Sequence, residues 1–166
     1  MHNIIEQNGE LHAMKQKREK SNSIIHKKVE NEVFALVKEW LQDDTLVANP
    51  VLPLGTDGEC ICPDFYSEKT YRIGEIHSHT GKIKGAQWGK ITKDILKMLL
   101  FEELSQTTFE KYLIVCSKEE EEQLLGSAFV ALAIRTYGIH LKYIEIPESR
   151  RMELIEAQVK ENLLQG

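Results

Sequence analysis

Two acidic residues on neighbouring extended segments carry the first hint of chemistry: Asp64 in Cys62-Pro63-Asp64-Phe65 and Glu75 in Ile73-Gly74-Glu75-Ile76. Residues 59–66 and 71–79 read as strands around a polar four-residue turn, Ser67–Thr70. Such a turn pairs Tyr66 with Tyr71, Asp64 with Ile73 and Cys62 with Glu75. Directly opposite residues share a face, as do alternate residues along a strand. Asp64, Ile73, Glu75 and His77 are therefore expected on one side, with Asp64 diagonal to Glu75. Two carboxylates so placed can share one hard cation, and oxygen ligands of this kind suit Mg²⁺ or Mn²⁺. Pro63 removes a ladder N–H beside Asp64, as in an irregular strand next to a site. The competing reading is that acids near strand ends are solvated, and that a one-residue slip turns Asp64 to the other face.

The elements that position these acids follow from periodicity. Residues 23–42 read as an amphipathic helix, with Val29, Val33, Phe34, Leu36, Val37, Trp40 and Leu41 within one half-turn of arc from Ile25. His26 and Glu30 intrude on that arc. A charge among apolar neighbours needs a partner or a metal, so Glu30 is a candidate third carboxylate. Residues 45–54 look extended, with Pro50 and Pro53 marking an edge. A helix is expected over 86–104, with Trp88, Ile91, Ile95, Met98 and Leu99 on one stripe, and a buried strand over 112–116. Ser117 and Glu120 form a capping box opening a helix that runs to Gly138 as its C′ residue. A strand over 140–146 and a helix over 148–164 complete the chain. The expected order is α-β-β-β-α-β-α-β-α, an α/β layer fold with a mixed central sheet flanked by helices. Residues 1–22 are expected to form a loosely ordered or helical arm, and 23–166 a single domain.

Glu30 on the first helix, Pro63-Asp64 on one strand, Gly74-Glu75-Ile76 on the next and Gln87 opening the following helix resemble the PD-(D/E)xK, or restriction-endonuclease-like, nuclease superfamily. The resemblance covers about residues 23–146, with its α-β-β-β-α-β core. It implies that Asp64 and Glu75 hold Mg²⁺ or Mn²⁺, with the Ile76 carbonyl as a further ligand and Glu30 and Gln87 as accessories. It also implies hydrolysis of phosphodiester bonds, in DNA ahead of RNA. A Lys two residues after the acid completes the superfamily motif, and here that position is His77. Either His77 orients or deprotonates the water, or a lysine such as Lys82, Lys84 or Lys90 reaches the same place. The third possibility is an inactive site, leaving a nuclease fold that serves as a nucleic-acid- or protein-binding module. Lys84, Lys90 and Lys93 are the residues expected to meet a phosphate backbone. The His77-Ser78-His79 triplet also resembles zinc peptidases of the JAMM type, but the Ser and Asp those enzymes need are Gln87 and Lys90 here.

Composition narrows the classes. At 42% hydrophobic and 28% charged residues, the chain is not of disordered type. The net charge of −5 argues against coating nucleic acid through bulk charge. The charge is uneven, however: residues 15–28 and 69–97 each carry a local surplus of +5, against −5 over 98–166. No apolar run approaches the ~20 residues of a membrane span, and the first twenty residues lack a leader pattern. Three cysteines, with Cys60 and Cys62 one residue apart, suit a reducing cytoplasm. Cytoplasmic location, no membrane partner, and a homodimer or larger assembly are the remaining expectations.

Overall fold

The computed structural model describes residues 23–55 and 58–162; the expected arm over 1–22 lies outside them. The described residues fall into two compact units, 23–29 with 147–162, and Glu30–Ile146. The first holds the opening of α1 (23–41) and helix α5 (Glu148–Asn162). In α5, Leu154 and Ala157 are buried, and Arg150 pairs with Glu153 one turn on.

The second unit contains a mixed five-stranded sheet in the order β1-β4-β5-β6-β7: β1 (Val47–Ala48), β4 (Phe65–Ser67), β5 (Arg72–His77), β6 (Glu110–Val115) and β7 (His140–Tyr143). β1, β4 and β5 pair antiparallel, whereas β5, β6 and β7 run parallel. A separate hairpin joins β2 (Leu52–Leu54) to β3 (Glu59–Ile61). Helix α2 (Ala86–Ser105) connects β5 to β6, and α3 (Lys118–Leu125) and α4 (Phe129–Thr136) connect β6 to β7. The α/β class with a mixed sheet flanked by helices is as expected.

The alternation of β5 sorts the two faces. Ile73, with Leu113 and Val115 of β6, packs in one core with Ile91, Ile95, Met98 and Phe101 of α2 and with Leu124, Val130 and Ile134. On the other face Phe65 lies opposite Gly74, which neighbours Tyr112. There Phe34 of α1 packs on Phe65 at 6.4 Å, and Trp40 meets Tyr112 edge-on at 5.8 Å. Gly74 has no freedom to be larger, because a Cβ there would lie 2.1 Å from the Phe65 ring.

Several expected boundaries shift. The segments 45–54 and 59–66 each divide in two, the second at Cys62-Pro63-Asp64, where Pro63 withholds a ladder donor. The turn spans 68–71 instead of 67–70, since Ser67 stays in the strand opposite Arg72 and Tyr71 takes the left-handed conformation (φ 53°). The register therefore moves by two residues, and because the ladder ends at Phe65 opposite Gly74, Asp64 lies outside it instead of standing in the strand on the Glu75 face. The expected helix over 118–138 breaks at Gly126–Ala128 into α3 and α4. Gly138 does end α4 as the left-handed C′ residue, with Gly138 N–H donating to Arg135 O and Ile139 N–H to Ile134 O. The capping box is half formed: Ser117 Oγ accepts from Glu120 N–H, but the Glu120 carboxylate turns to His77.

Candidate active site at the carboxyl end of β5

β5 is the sheet's pivot, antiparallel to β4 on one side and parallel to β6 on the other. β4 stops at Phe65, opposite Gly74, so the last residues of β5 have a free edge on that side. Asp64 fills it, its Oδ2 accepting the Ile76 N–H at 2.6 Å. In an extended strand the N–H and C=O of one residue point to the same edge, so the Ile76 carbonyl faces the same opening. A small cleft there is lined by Glu30, Asn31, Phe34, Asn49, Asp64 and Ile76, among others. Glu30 is thus drawn to the site from α1, and its Oε1 accepts a hydrogen bond from Ser78 Oγ at 3.1 Å.

Glu75 points to the α2 face and is 3% exposed. Its Oε1 accepts from Lys97 Nζ at 2.8 Å, and the same ammonium lies 3.2 Å from Asp94 Oδ1. Burial pushes the Glu75 carboxyl up to about 9, and the negative charges of Asp64 and Asp94 add to that rise against the pull of Lys97. Burial likewise raises Asp64, opposed by the Ile76 N–H and by the Lys90 charge. Lys97 is held upward by Glu75 and Asp94 despite its own burial, so it stays an ammonium. Three carboxyl groups cluster near one ammonium, and Glu75, the most raised of them, holds its proton at neutral pH.

Lys97 was no part of the sequence expectation. A signal existed one turn away: Asp94 falls inside the buried arc of α2, between Ile91 and Phe101. That is the same kind of intrusion that singles out Glu30 on α1.

The other expected residues are placed as follows. His77 is buried, with Nδ1 paired to Glu120 Oε1 of α3 and its ring stacked on His79. It shares the Glu75 face but is committed to α3. Burial pushes Glu120 up to about 8, and Lys90 opposes the shift. Lys90, exposed on α2, is therefore within electrostatic reach of both Asp64 and Glu120. Gln87 folds back on the loop before its helix: its Oε1 accepts from Lys84 N–H at 2.8 Å. Lys82 and Lys84 are exposed in the loop between β5 and α2, and Lys93 is exposed on α2.

Among the described residues no three His, Cys, Asp or Glu side chains form a ready-made metal cage. Asp64 and Glu75 are the residues that would hold a hard cation of the type that takes one or two carboxylates and keeps several waters. Each carboxylate spends one oxygen on a protein donor, Asp64 Oδ2 on Ile76 and Glu75 Oε1 on Lys97. Asp64 Oδ1 and Glu75 Oε2 take no hydrogen bond among the described residues. No helix among the described residues is long and apolar enough to cross a membrane. Compared with known proteins, the chain matches no family model, no curated protein and no solved structure.

Proposed function

We propose that this chain is a restriction-endonuclease-like enzyme that hydrolyses phosphodiester bonds in DNA with the aid of Mg²⁺ or Mn²⁺. The observation that carries the reading is the 2.8 Å contact of Lys97 Nζ with Glu75. It supplies from helix α2 the amine that the resemblance calls for, at the strand whose motif position holds His77. Asp64, Glu75 and the Ile76 carbonyl are the ligands. When bound, the cation polarises a phosphoryl oxygen and lowers the pKa of a coordinated water. Lys97, kept charged by Glu75 and Asp94, orients water and stabilises the negative charge that develops on the phosphoryl group. Glu30 and Ser78 steady the far wall of the cleft. Lys84 and Lys90 bracket the start of α2 and hold the phosphate backbone.

The alternative, an inactive fold kept as a nucleic-acid- or protein-binding module, draws support from His77, whose imidazole is committed to Glu120. Incubating labelled single- and double-stranded DNA and RNA with the protein in each metal separates the two readings. The nuclease reading predicts cleavage by the wild type and none by Asp64→Ala. Binding without cleavage in either metal supports the module.

A further inference from the structure

The outer face of α2 carries an apolar stripe that the proposed chemistry does not use. Taking Leu100 as origin at 100° per residue, Leu96 and Leu104 lie about 40° to either side and Lys93 about 20° away. Ile91 and Met98, fully buried, lie within about 20° of the opposite pole. Leu96, Leu100 and Leu104 are 61%, 42% and 52% exposed, so the stripe points away from the core. Helix α4 contacts α2 and presents Phe129 and Leu132, 80% and 53% exposed. Large apolar side chains left exposed in a row on one helix mark an interaction site more often than scattered ones do.

Charge on the same helix says what covers it. Lys93 precedes the leucines and Glu103 stands among the last of them, both exposed. Neither has an ionic partner among the described residues. A helix whose outer face runs from positive to negative is complementary to itself turned end for end. Pairing residues whose numbers add to 196 sets Leu96 of one copy over Leu100 of the other, and Lys93 over Glu103, each twice. Twofold symmetry generates both sets of contacts from one patch. A specific interface buries about 800 Å² per partner, more than three leucines offer, so residues beside the stripe, such as exposed Phe129 and Leu132 of the contacting α4, are needed to complete it.

We infer that two copies of this chain associate through α2, packed antiparallel about a twofold axis with Leu96 and Leu100 at its centre, flanked by Lys93–Glu103 pairs and, beyond them, Leu104. The inference stands independently of the nuclease reading.

Sedimentation equilibrium of the full chain over a concentration series tests it, with circular dichroism confirming that each variant folds. The wild type is expected at twice the chain mass. Leu100→Glu is expected to give monomer. Lys93→Glu sets like charges against each other at both ends and is expected to raise the dissociation constant about tenfold or more. Adding Glu103→Lys to Lys93→Glu restores the dimer. A wild type that stays monomeric, a dimer indifferent to Leu100→Glu, or a charge swap that fails to restore association overturns the inference.

Discussion

Lys97 Nζ lies 2.8 Å from Glu75 Oε1, joining helix α2 to strand β5 across 22 residues of sequence. In the motif that this chain resembles, the amine stands on the same strand as the acid, two residues on. Here that position points into the β5–α3 contact, where a His can pair with buried Glu120. The amine arrives instead from the neighbouring helix, whose Asp94 holds it from the other side. Under the proposed reading, Lys97 stands in for the amine that the position of His77 does not supply.

Gly74 and Phe65 set the β4–β5 register, because the ring occupies the space of the missing side chain. Gly74→Ala is expected to cost about 3 kcal/mol or more, since the clash is with a buried ring in a packed core. Phe65→Leu added to it recovers part of the loss. Urea denaturation of the two variants checks this, and a Gly74→Ala protein as stable as the wild type contradicts the packing argument.

Asp43, just past α1, accepts hydrogen bonds from the Thr45 and Thr70 hydroxyls and pairs with Arg72 of β5. Burial acts to raise its carboxyl, but those donors outweigh it and hold the carboxyl at about 2, below its ordinary 3.8. A lowered folded pKa stabilises the fold above the unfolded value and loses that contribution as pH falls from about 4 towards 2. Thermal melts over that window are expected to fall less steeply for Asp43→Asn than for the wild type. Near pH 7 the variant is less stable by about 1–3 kcal/mol, having lost charge-assisted hydrogen bonds to a buried carboxylate.

Cys60 and Cys62 are exposed, whereas Cys116 is buried and its thiol pushed up to about 12 by burial and by Glu120. A thiol-reactive dye is expected to label two cysteines in the native protein and the third only after unfolding. Fast labelling of all three contradicts the placement of Cys116.

The sequence was most legible where one period dominated. The first helix, which ends at residue 41, the buried strand, found over 110–115 where 112–116 was expected, and the Gly138 cap stand close to where the pattern puts them. The strand break beside Asp64 was also readable, because Pro63 marks it. Legibility failed where tertiary contacts outvote local ones. The hairpin slid by two residues because Ser67 is needed in the strand, where its hydroxyl meets those of Thr45 and Thr70's amide. Glu120 left its capping role for a long-range partner, His77. Lys97 was missed because a solvent-facing lysine and one turned to a buried acid look alike on a helix until the strand beneath is known.

Single-turnover cleavage of labelled DNA in Mg²⁺ or Mn²⁺ by the wild type and by Lys97→Ala tests the central claim most directly, with DNA binding measured alongside. Loss of one charge-stabilising donor is expected to slow cleavage about 10²–10³-fold, with DNA affinity changed far less. Cleavage by Lys97→Ala at the wild-type rate, or no cleavage by the wild type in either metal, contradicts it.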